Sequence, residues 1–405
     1  MSNPYGYRPP GYAQQQPYPA QWPRTPSPPR PPAPARRDPD RGRRIVGLVV
    51  WIVAMVAGVI LNIAFQFLEI FSAARPGQML AAVLQGALFA LVPLGVYLAV
   101  PAVLDRYDPE PWWCLAMAFL WGAVVATGFS GFINTFVDVA ASHLLGARGG
   151  DIVTKVISAP LCEELFKGLA VLGIFYFLRR EFDGVVDGIL YATFCALGFA
   201  AVENISYYAR AEIHGNLGMT FFLRGILAPW GHPLYTSMTG IGFGISRESS
   251  RTWVRWVAPV GGYCVGVTLH AIWNLLATVM GGAFVYLIPL WLGFVLSFFG
   301  LVVILVIRKG RTIRSHLRDE VLLGNLSQEE VDLICSPVGR LLCTFSWRGA
   351  TGRAFIGAGA RLALSKWHTA RAMRGKKQTI SADFIVPLRQ EIARLRGLML
   401  ARMPR

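Results

Sequence analysis

Charge is scarce in this chain, and acidic charge scarcest: 15% of its 405 residues are charged, and only 23 are Asp or Glu. Hydrophobic residues make up 54% and the mean hydropathy is +0.45, a surplus that a soluble protein of this length could not bury in its cores. A membrane class follows. Cysteine is also sparse. The six residues Cys114, Cys162, Cys195, Cys264, Cys335 and Cys343 are scattered without a C-x-x-C pair, which excludes a disulfide framework and a thiolate metal site. The amino terminus lacks the short charged-then-apolar layout of a cleavable signal peptide, so the first apolar run is expected to stay as an anchor. Two hydrolase signatures are missing as well, His-Glu-x-x-His and a Gly-x-Ser-x-Gly elbow with a paired base; Ser206 and Ser237 stand in no distinguishing context. There is no half-to-half similarity of the kind that marks many secondary transporters.

The net charge of +16 is unevenly spread. The first 44 residues carry eight Arg against two Asp, residues 308–405 carry 19 basic against seven acidic residues, and residues 45–307 are left at −2. Basic flanks around a nearly neutral apolar middle suit cytoplasmic tails beside anionic lipid, and no nucleic-acid partner is expected. Residues 1–44 hold 13 of the 26 prolines. That composition predicts a disordered Pro/Arg-rich arm with polyproline II character.

From Ile45 the chain runs in apolar blocks long enough to cross ~30 Å of hydrocarbon at ~20 residues each. They fall near 45–67, 79–103, 113–137, 152–178, 184–208, 218–246, 254–280 and 284–307. The expected fold is all-α, a polytopic bundle of about eight spans over residues 45–307, followed by a basic, partly helical tail at 308–405. Arg36, Arg37, Arg41, Arg43 and Arg44, Arg179–Arg180, Arg247–Arg251–Arg255 and Arg308–Lys309–Arg311–Arg314 then share one side. Basic loops resist translocation, which makes that side cytoplasmic and puts both termini there. In the tail, helices are expected near Arg318–Ile334 and Asp383–Met403, with a Gly-rich basic interval between them.

The chemistry lies in the expensive residues. An ionisable group in hydrocarbon costs at least ~2.5 kcal/mol, yet several fall inside these blocks. The fourth holds Glu163, Glu164 and Lys167, the fifth Glu203 and Asn204, the sixth His232 with Gly240, and the seventh His270 with Asn274. Helical spacing gives each helix one polar patch: Glu163 and Lys167 at i, i+4, Glu164 and Lys167 at i, i+3, His270 and Asn274 at i, i+4. Counted from the outer ends at 1.5 Å per residue, Glu163, Glu164, His232 and His270 all lie ~15–21 Å deep, with Glu203 shallower. Gly240 reads as a close-packing position. Pro160, Pro229 and Pro233 predict kinks beside the reactive groups. Polar glue between helices would account for Asn204 and Asn274 alone, but packing requires nothing as costly as adjacent glutamates and two deep histidines. Two carboxylates and two imidazoles suit peptide hydrolysis: a glutamate deprotonates water while the histidines ligate a metal or hold an oxyanion. A secondary transporter relaying ions through midplane carboxylates and a non-catalytic scaffold are the rival classes.

Glu163-Glu164-x-x-Lys167, Phe199-x-x-x-Glu203-Asn204, His232 with Gly240 eight residues on, and His270-x-x-Trp273-Asn274 resemble, in order, the motifs of the PrsW family of intramembrane proteases. The loop Asp105-Arg106-Tyr107-Asp108-Pro109-Glu110-Pro111-Trp112 resembles that family too. The related CAAX prenyl endopeptidases share the paired glutamate, but Lys167 stands where those would place an Arg one residue later, which favours the PrsW branch. The resemblance covers residues 45–307. It implies a multi-pass enzyme of a prokaryotic cytoplasmic membrane that cleaves a regulatory membrane protein such as an anti-sigma factor. Carried over, Glu163 and Glu164 supply the base and a ligand. His232 and His270 are ligands or oxyanion donors, Glu203 is a third ligand candidate, and Lys167, Asn204 and Asn274 support them. Two chemistries stay open: a Zn2+ centre, or a glutamate type with no cofactor.

Overall fold

The computed structural model describes residues 41–401 except 72–74, 106, 108, 281–282, 284–285, 337, 347 and 375–379. The expected N-terminal arm, apart from residues 41–44, lies outside the described residues. Helices are α1 (Arg41–Phe71), α2 (Pro76–Leu91), α3 (Leu94–Leu104), α4 (Trp112–Leu120), α5 (Thr127–Val153), α6 (Ala159–Phe177), α7 (Val185–Ile213), α8 (Leu217–Phe221), α9 (Gly231–Glu248), α10 (Thr252–Met280) and α11 (Ile288–Leu322). A C-terminal set follows: α12 (Gln328–Ile334), α13 (Gly339–Thr344), α14 (Gly349–Arg374) and α15 (Ile385–Leu400). Among the described residues there are no strands, and the architecture is all-α.

All eight expected apolar blocks are occupied by helix, and six helical runs are long and apolar enough to cross a membrane. The blocks 113–137 and 152–178 belong to one run, Trp112–Phe177, which Gly146 divides by leaving helical geometry at φ 76°. Block 218–246 is helical but too polar to count among the six, because its second half, α9, is rich in Gly, Ser and Thr. The kink expected from Pro229 and Pro233 is a full break: Ala228 leaves helical geometry at φ −122°, and α9 restarts at Gly231.

The bundle is built around α7, whose apolar window is 83% buried, against 6% for α1. Small residues make that depth feasible, since helices in lipid gain from close backbone approach. A Cβ at Gly188 would collide with the Gly240 carbonyl oxygen, and one at Gly240 with that of Gly188, so α7 and α9 cross backbone to backbone as expected for Gly240. Gly198 and Gly122 perform the same service between α7 and the run from α4. That run passes through a π-helical segment, Trp121–Ala126, and the amide of Asn62 on α1 donates to the Val124 carbonyl oxygen there at 2.7 Å. In hydrocarbon such a partner is what makes irregular backbone tolerable.

On α11, Trp291, Val295, Phe298, Val302, Val306, Ile313 and Leu317 form one buried stripe that runs past the apolar block into the C-terminal set. There the fully buried Glu320 receives Lys366 at 2.6 Å and Arg389 at 2.7 and 2.9 Å. The helix expected over Arg318–Ile334 is broken by Gly324 at φ 72°, and α12 restarts on a Ser327–Glu330 capping box. Between the two expected tail helices lies a 26-residue helix, α14, whose buried face carries Phe355, Ile356, Leu362 and several alanines. Its glycines and basic residues hide that face from a reading by hydrophobic blocks.

The Asp105–Trp112 loop closes one end of the bundle: the Glu110 backbone N–H donates to Asp105 at 2.6 Å, and Tyr191 of α7 donates to the Glu110 carboxylate. Burial pushes the Glu110 carboxyl well above the ordinary carboxylate range; nearby Asp187 adds to this and Lys309 opposes it.

Candidate active site

Four helices bring the polar patches together. Glu163, Glu164 and Lys167 on α6 are buried, Glu164 and Lys167 completely so, and His270 of α10 is 3% exposed. Lys167 Nζ donates to Glu164 Oε1 at 2.6 Å, lies 3.7 Å from Glu163 Oε2 and 3.1 Å from His232 Nδ1, and sits 4.2 Å from the centre of the Phe199 ring. Glu203 reaches the same group, with Oε2 3.1 Å from His232 Nε2. It looked too shallow from the expected span end at 208, but α7 continues to Ile213.

The two glutamates differ sharply in their surroundings. Glu164 Oε1 accepts from Lys167 and faces His270 Nδ1 at 3.1 Å, while its Oε2 accepts the Thr236 hydroxyl at 2.7 Å. Glu163 Oε2 is buried without any hydrogen-bond partner, 4.0 Å from both His232 Nδ1 and His270 Nε2. A buried carboxylate oxygen left bare is costly, and such an atom aimed between two imidazole nitrogens is what a cation or a protonated water would satisfy.

The imidazoles are oriented for that. A carboxylate only accepts, so His232 bears its proton on Nε2 toward Glu203, and His270 bears its proton on Nδ1 toward Glu164. The remaining lone pair of His232, on Nδ1, faces Lys167 Nζ at 3.1 Å and lies 4.0 Å from Glu163 Oε2, and that of His270, on Nε2, lies 4.0 Å from the same oxygen. Carboxylate-backed histidines of this kind are common in metal centres. One ligand atom from each of Glu163, His232 and His270 lies within 4.8 Å of the others, a set able to hold a metal ion. Glu203, expected as a third ligand candidate, lies with Oε2 3.1 Å from His232 Nε2 and pairs with Arg224.

Not every expected residue joins the group. The side-chain amide of Asn274 donates to the Lys155 carbonyl oxygen at 2.8 Å and ties α10 to the segment before α6. Asn204 accepts from Arg224 Nε at 2.7 Å. Three participants were missed in sequence. Thr236 stands at i+4 from His232 and so shares its face, a signal that was readable. Tyr235 stacks on the His270 ring with centroids 5.0 Å apart. Arg224 was visible as a cation within an apolar block.

Part of the chain is similar to known proteins. Residues 110–306 match the family described as PrsW family intramembrane metalloprotease. Protease PrsW of Geobacillus kaustophilus is 27% identical over 218 residues, covering 50% of this chain and 88% of that protein. Protease PrsW of Bacillus subtilis is 27% identical over 209 residues, 50% of this chain and 89% of its own length. The chain is similar to the PrsW family over residues 110–306, just under half of its length. It is thus a prokaryotic multi-pass membrane protein and an intramembrane endopeptidase, and the transporter and scaffold readings fall away. No solved structure matches it. Helices α1 to α3 and the C-terminal set lie outside the matched residues 110–306.

Proposed function

We propose that Glu163, His232 and His270 form the hydrolytic centre, and that they hold Zn2+ while Glu164, Glu203 and Lys167 position them. The observation that carries this reading is the bare, buried Oε2 of Glu163 facing two imidazole lone pairs. Two imidazoles and one carboxylate are a donor set that Zn2+ accepts in hydrolases, and when bound it supplies Lewis acidity toward a carbonyl and acidifies water. The Glu163 oxygen not used to hold the ion would take the proton of the attacking water as the water oxygen bonds to the scissile carbonyl carbon. The C–N bond then breaks, and that proton passes to the leaving amine. Lys167, 2.6 Å from Glu164, stays a fixed positive charge beside the developing oxyanion.

A second reading rests on Lys167 Nζ lying 3.1 Å from His232 Nδ1, the lone pair an ion would need. In that glutamate-type mechanism Glu163 is the base unaided, and the Lys167 ammonium is the donor to the oxyanion.

The substrate is a membrane protein, and we propose that an apolar segment of it approaches over the small apolar hollow lined by Pro101, Ile189, Thr193, Trp230, Pro233 and Phe298. Pro233 adjoins His232, which supports that route. For orientation, Arg247 donates to the Arg179 carbonyl oxygen at 2.7 Å, so two of the basic loops meet, and His368 of α14 lies 3.4 Å from Asp183 between them. Their shared basic character supports a cytoplasmic location for this end and for both termini.

The test is cleavage of reconstituted single-pass proteins by enzyme of measured metal content, with and without chelator. About one Zn2+ per chain with chelator-sensitive cleavage supports the first reading. Chelator-resistant cleavage that Glu163→Gln still abolishes selects the second.

A further inference from the structure

We infer that the Tyr235 hydroxyl is a catalytic hydrogen-bond donor that holds the carbonyl oxygen of the scissile peptide; this rests on the proposed centre. Tyr235 lies in α9 three residues after His232, and it is 2% exposed. Its ring is fixed by other rings. It stacks on that of His270 with centroids 5.0 Å apart and planes 18° from parallel, and the rings of His232 and Trp291 lie 6.3 and 6.2 Å away. Side chains on a helix lean toward its N-terminus, so the phenol reaches back along α9: a Cβ at Gly231 would lie 3.5 Å from the Tyr235 hydroxyl oxygen. Gly231 stands in the chain between Trp230, which lines the apolar hollow, and His232 of the centre. The hydroxyl therefore sits where the proposed approach meets the hydrolytic group.

That hydroxyl is buried and has no hydrogen-bond partner among the described residues. Its neighbours along α9 are satisfied, Thr236 by Glu164 and Ser237 by Thr193 at 3.4 Å. Thr239 Oγ1 is unpartnered too, but a threonine hydroxyl can turn onto the carbonyl oxygen four residues back, whereas a phenol cannot reach its own backbone. A bare hydroxyl is destabilising in a membrane interior, and phenylalanine would fill the same space without that cost. A peptide bond drawn into the centre brings the missing acceptor, its carbonyl oxygen. As the water oxygen adds to the carbonyl carbon, the C=O π pair moves onto that oxygen, and a donor already held in place binds the resulting oxyanion more tightly than the carbonyl it came from. Tyr235 keeps its proton throughout. Lys167 of α6 supplies charge beside the oxyanion, and Tyr235 of α9 supplies a directed neutral donor.

The experiment compares wild type, Tyr235→Phe and Glu163→Gln as full chains in mixed micelles on one single-pass substrate, with bound zinc and thermal unfolding measured on the same samples. Phenylalanine keeps the ring stacked on His270 and removes only the hydroxyl. Tyr235→Phe should lose about 10²-fold in kcat with little change in KM, hold as much zinc as wild type, and unfold no earlier. A merely structural tyrosine gives the reverse pattern, earlier unfolding with kcat retained, and that result overturns the inference. So does a fall in kcat that is matched by loss of zinc, or a Tyr235→Phe protein that fails to fold, since either shows the hydroxyl supporting the protein and not the substrate. Full activity of Tyr235→Phe beside an inactive Glu163→Gln overturns this inference alone. Full activity of Glu163→Gln refutes the proposed centre and the inference with it.

Discussion

Replacing Lys167 by methionine tests whether the buried charges are mutually compensated. Methionine keeps most of the length of the side chain but removes the ammonium and with it the contact to the Phe199 ring. The side chain is fully buried, 2.6 Å from Glu164 and 3.7 Å from Glu163, while Glu203 has Arg224 as its own counter-ion. Two adjacent carboxylates would then be left without a cation in a low-dielectric bundle. Removing one partner of a buried ion pair costs about 3–5 kcal/mol, a large part of the roughly 5–15 kcal/mol that holds an ordinary domain together. The loss should appear as a shift in reversible unfolding in mixed micelles and be accompanied by loss of cleavage. Combining Lys167→Met with Glu164→Gln removes both charges, and the double variant should be more stable than the sum of the two single losses predicts. A Lys167→Met protein within about 0.5 kcal/mol of wild type, the size of an ordinary surface change, would refute the reasoning.

Thr236→Val removes the hydroxyl that donates to Glu164 Oε2 at 2.7 Å, so stability should fall by about 1–3 kcal/mol in the same unfolding assay. Gly240→Ala would drive a methyl into the Gly188 carbonyl oxygen and separate α7 from α9, costing about 1–3 kcal/mol, whereas Gly173→Ala, with open space around it, should melt like wild type. Glu320→Ala leaves Lys366 and Arg389 without their shared carboxylate; limited proteolysis should then cut the C-terminal set rapidly while residues 45–307 resist.

Much of the centre was legible because the membrane makes polar residues conspicuous: Glu163, Glu164, Lys167, His232 and His270 stood out within apolar blocks, and helical spacing grouped them by face. What spacing cannot supply is the neighbour across the interface. Asn274 shares a face with His270 yet bonds to the Lys155 backbone, and Glu203, read as a ligand, has its oxygen taken by Arg224. Span ends derived from composition misjudged the depth of Glu203 because α7 runs on past the expected end at 208 through Ala209–Ile213, a stretch too polar to be read as membrane helix. In the tail, α14 escaped notice since its buried Phe355, Ile356, Leu362 and Leu364 are interspersed with alanine, glycine and basic residues that dilute the hydrophobic signal.

The central claim is that Glu163 carries the hydrolysis, and the most direct measurement is turnover of a reconstituted single-pass substrate by Glu163→Gln. Glutamine preserves shape and removes the base, so turnover should fall by about 10²-fold or more while the protein remains monodisperse and folded. Wild-type turnover by Glu163→Gln would contradict the account.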